Sequence, residues 1–243
     1  MFGHVFKFTR SPRPARPEPA AAQAGPYRSA AVNDSYHALF CDDARLFSPR
    51  PGERFMPWHA LLGSRTASPA AVRGLALDPR TSPTVRALAW HWLRQHSHGV
   101  PRAQLNGLVV ETGHAQGLDT LAVYADGSVR HIEPNGTPAG LNTHDIHLQF
   151  AAVRAVALAQ SMLRTLPSPS RRHADAPSPG SVRLSFVASD GLYVDEGPLS
   201  LMVHEPMAGR VIRQVDDLRQ LALAAWGQRQ PPKLVDMVMP QAA

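Results

Sequence analysis

Apolar residues along the chain repeat with two different periods. Val85, Leu88, Ala89 and Trp92 fall at i, i+3, i+4 and i+7, one stripe of a helix. Ser82-Pro83 opens it with a capping residue and a proline at the first helical position, and Gly99 and Pro101 stop it. Upstream, Asp34 caps a short helix through Tyr36, Leu39 and Phe40, and Ser68-Pro69 opens another that Pro79 closes. The period then becomes two. Leu105 to Glu111 reads as a strand, GHAQG as a turn, and Leu118 to Tyr124 as the next strand. Asp126-Gly127 is a type I′ hairpin pair, and Ser128 to Glu133 returns to a Pro134-Asn135-Gly136 turn. In that hairpin Tyr124 opposes Val129 and Ala122 opposes His131, while Val123 faces Arg130 and Leu121 faces Ile132. Both faces carry apolar residues, as expected of a sheet covered on both sides.

A long helix follows from about Thr143 to Leu166, with Ile146, Phe150, Val153, Val156 or Ala157, and Leu163 on its buried face. After a Pro-rich loop at 166–181, Val182 to Ala188 alternates as a strand. Asp190-Gly191 turns into LYVDEG, and Leu199 to His204 reads as a further strand. Val211, Val215, Leu218, Ala222 and Ala225 mark a final helix ending near Gly227. The fold class expected is α/β in the α+β sense, a central antiparallel sheet of about five strands flanked by helices. The order of elements resembles profilin-like or roadblock-like architectures. Residues 1–31, rich in Pro, Arg and Ala, form an expected disordered tail, 32–229 a single domain, and 230–243 a C-terminal tail.

The net charge of +6 invites a nucleic-acid reading, but its distribution argues otherwise. Lys7, Arg10, Arg13, Arg16 and Arg28 face only Glu18 in residues 1–30, and Arg171 and Arg172 face Asp175 in the Pro-rich loop, so the rest is nearly neutral. Phosphate binding needs cations clustered on a folded face, so no specific nucleic acid is expected. No run of about 18 uncharged apolar residues occurs and no secretory leader is read at the start, so no membrane span and a cytoplasmic location are expected. Cys41 is the sole cysteine, which excludes an internal disulfide and a thiolate metal cluster.

Three segments carry a resemblance: Leu39-Phe40-Cys41-Asp42-Asp43 with Leu46-Phe47, Gly117-Leu118-Asp119-Thr120-Leu121-Ala122-Val123-Tyr124-Ala125-Asp126-Gly127-Ser128-Val129-Arg130, and Val182-Arg183-Leu184-Ser185-Phe186 running on through Ser189-Asp190-Gly191-Leu192-Tyr193 to Glu196-Gly197-Pro198. In order and spacing they resemble a group of uncharacterised bacterial proteins with no established activity. The resemblance implies a bacterial source and one continuous module over most of 35–227. The chain departs from that pattern after Arg130, where His131-Ile132-Glu133-Pro134-Asn135-Gly136 stands in place of Tyr-Ile-Asn and a Ser-Gly turn, and at Asp195, where glycine is usual.

Twelve histidines raise the question of a metal, yet no HExxH or facial-triad pattern is present. His91 lies on the polar side of the Trp92 stripe, and His96 and His98 suit the helix C-terminus. Cys41, followed by Asp42 and Asp43, sits where acids raise a thiol pKa, so a buried small residue is expected rather than a nucleophile. Asp190, Asp195 and Glu196, with Tyr193 between them, are the most enzyme-like cluster, although turn chemistry accounts for Asp190-Gly191 and Glu196-Gly197-Pro198. Glu111 and Asp119 flank the GHAQG loop. The candidate polar site is therefore Glu111, Asp119, His131, Asp190, Tyr193 and Glu196, with no metal and no cofactor expected. No phosphate-binding loop or GxSxG elbow is present. The expectation is a non-enzymatic module working through a protein partner or self-association; the alternative is a small metal-dependent enzyme using residues 190–196.

Overall fold

The computed structural model describes residues 24–49, 52–139, 145–173 and 175–225. One antiparallel sheet organises them, in the order β4-β3-β2-β1-β5-β6. Its strands are β1 (Leu105–His114), β2 (Gly117–Tyr124), β3 (Val129–Ile132), the two-residue β4 (Pro138–Ala139), β5 (Ser181–Ala188) and β6 (Gly191–Pro198). Four helices, α1 (Ala30–Ala38), α2 (Pro57–Gly63), α3 (Pro69–Leu77) and α4 (Pro83–Gln95), cover one face. Helices α5 (Ile146–Leu163), α6 (Leu199–Met202) and α7 (Ala208–Ala225) cover the other. The α+β class expected from the sequence is what the chain adopts, with a sixth, very short edge strand.

Alternation along β1 explains the two layers. Leu108 and Val110 join Leu121, Val123, Leu184 and Phe186 beneath α5 and α7, while Val109 packs with Ala122, Tyr124 and Val187 beneath α4. Helix α4 follows its pattern: Ser82 Oγ accepts the Val85 amide, and Val85, Leu88, Ala89 and Trp92 are all buried. Gly107 opposes Tyr124 across β1 and β2. A Cβ there would lie 2.5 Å from the Tyr124 ring. Its absence lets the ring lie across the strand, so that the Tyr124 hydroxyl reaches the Leu39 carbonyl at 2.8 Å.

Several expectations are corrected. Helix α1 starts at Ala30 rather than at Asp34, and Leu39 and Phe40 lie beyond its end. Asn33 ties that start to Tyr27 through both main-chain groups, and Tyr27, expected in the tail, is buried in the core. Residues 1–23 and 226–243, which hold the rest of both expected tails and Gly227, lie outside the described residues. The segment Leu199–His204 is not a strand: Leu199, Met202 and Val203 turn onto the α5–α7 core as α6 and the residue after it. Helix α2 was not foreseen.

The hairpin after β2 has a different register from the one expected. Val123 pairs with Val129, Ala122 with Arg130, Leu121 with His131 and Thr120 with Ile132. Gly127 alone carries a positive φ there, 82°, its amide bonds back to the Tyr124 carbonyl, and the Tyr124 amide donates to Ser128. That is a type I turn closed by a glycine bulge, not a type I′ pair. One extra residue in the turn slips β3 by one, which changes the face of every β3 side chain.

Helix α5 shows the largest difference. Its buried residues are Leu148, Ala152, Ala155, Val156, Ala159, Met162 and Leu163. Ile146, Phe150 and Val153, expected inside, are 53%, 64% and 47% exposed. Three alanines fully buried beside Val211, Val215 and Leu218 let α5 and α7 approach closely, which turns the bulkier side chains outward. By length and composition α5 also qualifies as a membrane-crossing helix, with a mean hydropathy of 1.2, although much of it packs on the sheet.

Candidate functional site

The six residues singled out by the sequence do not form one site. The register separates them into three groups.

The first lies on the α1–α4 face, where Thr120, Glu111, Arg183 and Glu196 pair in sequence across β2, β1, β5 and β6. Thr120, Glu111 and Arg183 of this row are buried, Glu196 on the edge strand is not, and each finds a partner. Tyr27 Oη lies 2.8 Å from Thr120 Oγ1. Tyr36 donates its hydroxyl to Glu111 Oε1 at 2.6 Å. Arg183 Nε donates to Glu196 Oε2 at 2.7 Å, and its Nη1 is 3.6 Å from Glu111 Oε1. His173 Nδ1 stands 3.2 Å from Glu196 Oε2, and the Arg172 guanidinium stacks 3.6 Å above the Phe40 ring. Glu111 is wholly buried. Burial pushes its carboxyl up from the usual range, with the Tyr36 hydrogen bond and the Arg183 charge pulling the other way. Its Oε2 has no hydrogen-bond partner among the described residues.

The second group lies on the opposite face. Asp119 pairs with Thr112 in β1, one position from Glu111, so Asp119 and Glu111 point to opposite sides of the sheet. The one-residue slip of β3 brings His131 to the same side, with Nε2 2.6 Å from Asp119 Oδ1. Arg219 of α7 reaches Asp119 Oδ2 at 3.0 Å and Asp216 Oδ1 at 2.7 Å. Burial alone would raise the Asp119 carboxyl. The His131 hydrogen bond, with the charges of His131 and Arg219, outweighs it and holds the group below the usual range. The Asp216–Arg219 pair is local, at i and i+3 on one helix, but nothing local ties Arg219 to Asp119, 100 positions away.

The third group holds a loop. Asp190 Oδ1 accepts the Ala103 amide at 3.0 Å, and Tyr193 donates to Asp190 Oδ2 at 2.9 Å. Ala103 carries φ 50°, a left-handed conformation that the Asp190 bond and the Gln160 bonds to Ala103 and Leu105 fix in place. Ser189 ties the same segment through Pro101 and Gln104. These residues anchor the entry to β1. Asp195 pairs with Leu184 on the face opposite Glu196, and burial raises its carboxyl. Asp190, Asp195 and Glu196 therefore occupy three separate environments. Among the described residues, no group of three or more His, Cys, Asp or Glu side chains is arranged to hold a metal.

Two clefts lie elsewhere. A cavity of about 510 Å³ is lined by Asp42, Arg45, Trp58, His59, His91 and Trp92, and a second of about 380 Å³ by Phe40, Arg94, Arg172 and Leu192. Both share Asp42, His91 and Gln95 as lining residues. His91, expected on the polar side of the Trp92 stripe, lines both. Here its Nδ1 lies 3.2 Å from Arg94 Nη2, which can only donate, so the neutral ring carries its proton on Nε2. Burial and the Arg94 charge lower its pKa. Cys41, beside this cleft, is buried at φ 53°, and burial and the Asp42 charge push its thiol up to about 12. That is opposite to the activation a nucleophilic cysteine requires. None of the six predicted residues lines either cavity.

A further surface feature is the outer side of α5, where Ile146, Phe150 and Val153 stand exposed at i, i+4 and i+7. No family model matches the chain, and no curated protein or solved structure was found to be similar to it.

Proposed function

We propose that the protein is a non-enzymatic binding module that acts through contact with a protein surface, made by the outer face of α5. One observation carries the reading: a helix whose inner face is already buried against the sheet also presents Ile146, Phe150 and Val153 to solvent in a single stripe. Scattered exposed apolar residues are ordinary, but a stripe at helical spacing is the form in which a helix meets another surface. The polar residues support the same reading from the other side. Glu111, Asp119, His131, Asp190, Tyr193 and Glu196 are each committed to neighbours that hold strands, helices or loops together. A bacterial, cytoplasmic setting suits a chain whose one cysteine is buried and weakly acidic.

The test is a triple variant, Ile146→Gln, Phe150→Gln and Val153→Gln, followed by thermal unfolding of dilute protein. If the stripe faces a partner rather than the chain's own core, the midpoint stays within about 2 °C of the parent. A fall of about 10 °C or more would return these residues to the core and end the proposal. The metal-dependent alternative has its own readout. Protein purified without a metal-affinity tag would carry one divalent ion per chain, lost on Glu196→Gln.

A further inference from the structure

We infer that the smaller of the two clefts, walled by Phe40, Leu192, Arg94 and Arg172, binds a small organic monocarboxylate with an apolar body. The inference does not rest on the outer face of α5, which lies across the sheet from this cleft. It starts from a charge without a counter-ion. Arg94 is half-buried near the end of α4, where its Nη1 donates to the Ser189 carbonyl and its Nη2 to His91 Nδ1. Neither partner is an acid, and among the described residues Arg94 forms no ion pair. Asp42 and Asp190 act on it only from a distance, and Asp190 is already committed to the Ala103 amide and the Tyr193 hydroxyl. A cation taken out of water is ordinarily paired, because an unpaired one bears its desolvation cost alone. Here the open side of the guanidinium is a cavity.

A second cation lines the same cavity. The Arg172 guanidinium stacks 3.6 Å above the Phe40 ring, and its Nη1 reaches Asp42 Oδ2 only at 4.0 Å. A guanidinium laid face-on to a ring keeps its in-plane N–H groups for an acceptor at its edge. The Ser170 amide donates to the Leu192 carbonyl at 2.6 Å and His173 meets Glu196 at 3.2 Å, so the Pro-rich loop is pinned to β6 on both sides of Arg172. His91 Nε2 adds a proton that has no hydrogen-bond partner among the described residues. The fixed charges lining the cleft are Asp42, Arg94 and Arg172, which leaves one positive charge over. One carboxylate cancels it, and its planar oxygens match the guanidinium fork. A phosphate monoester, with close to two negative charges near neutral pH, would overshoot. Away from the cations, Phe40, Ala87, Val187 and Leu192 make the wall apolar, which suits a ring or a branched chain. The volume of about 380 Å³ lies at the lower end of the range of ligand pockets, roughly 300–1,000 Å³, and keeps that body small.

Isothermal titration of the full chain with phenylacetate and isovalerate, compared with phenylacetamide and phenyl phosphate, tests the assignment. The expected result is saturable one-to-one binding of at least one of the two carboxylates, with dissociation below about 1 mM. Phenylacetamide, which lacks the charge, and phenyl phosphate, which carries too much, each bind at least about 10-fold more weakly. Arg94→Gln keeps an N–H donor without the charge and weakens the carboxylate by at least about 10-fold; Arg172→Gln weakens it by about 3- to 10-fold. Arg154→Gln, on α5 across the sheet, leaves it unchanged. If Arg94→Gln impairs folding, Arg172→Gln and the acid–amide comparison on the parent chain still decide. Failure of both carboxylates to bind at about 10 mM overturns the inference. So does an amide bound as tightly as its acid, a preference for phenyl phosphate, or binding indifferent to both arginine variants.

Discussion

Replacing Arg219 with methionine removes the cation that two buried acids share on the α7 face. Arg219 gives Asp119 one contact of 3.0 Å and Asp216 contacts of 2.7 and 3.2 Å, and all three residues are buried. Methionine fills similar space without the charge, so the loss is electrostatic rather than a cavity. Breaking a buried ion pair from one side costs about 3–5 kcal/mol, a large share of the roughly 5–15 kcal/mol that holds a domain together. With a urea slope of about 2.5 kcal/mol per molar, the unfolding midpoint falls by about 1–2 M. The pH dependence supplies a second constraint. In the parent, Asp119 is held below its ordinary pKa, so it contributes stability above the unfolded value that disappears as pH falls through the folded one. Without Arg219 the burial effect gains weight, the folded pKa rises, and the gap between variant and parent narrows in acid. Adding Asp119→Asn to Arg219→Met recovers part of the loss at neutral pH. A midpoint shift below about 0.3 M, or a gap that stays constant from pH 8 to 4, would refute the claim that this cluster is a buried structural tie.

Glu111→Gln runs in the opposite sense. Its folded pKa is raised, so the parent loses stability as pH climbs from the unfolded value, about 4.3, through the folded one. Glutamine still accepts the Tyr36 hydroxyl, so the variant gains on the parent between pH 4 and 8, read by urea midpoints; a gain at pH 4 that vanishes at pH 8 would contradict the burial argument. Cys41, buried with its thiol near pKa 12, stays unlabelled by a disulfide-exchange reagent at pH 8 in native protein and reacts fully in urea. Fast native labelling would place it at the surface instead.

How much of this was legible in the sequence depends on the range of the interactions. The α4 stripe and the alternation of β1 and β5 are local, and they predicted the elements and the two-faced sheet. The turn at Asp126-Gly127 was ambiguous, since glycine in its left-handed conformation serves either turn type, and one residue of difference decided which face received His131. Helix α5 carries apolar residues on both its inner and its outer face, so periodicity could not distinguish inside from outside. The alanines that take the inner face do so because α7 lies close against them. Leu199 to His204 is a short apolar run that suits a strand or a helical turn equally well. Of the candidate residues Glu111, Asp119 and His131 are buried polar groups, and the partners Tyr36 and Arg219 of the first two lie 75 and 100 positions away. Only the strand register shows that Glu111 and Asp119 cannot meet.

The central claim, that α5 presents an outer apolar face which is not part of the chain's own core, is tested most directly by comparing Phe150→Ala with Leu148→Ala in urea unfolding. Leu148 is 2% exposed and Phe150 64% exposed on the same turn of the helix. The account predicts a loss of about 2–5 kcal/mol for Leu148→Ala and of less than about 1 kcal/mol for Phe150→Ala. Equal losses for the two variants would place Phe150 in the core and contradict the account.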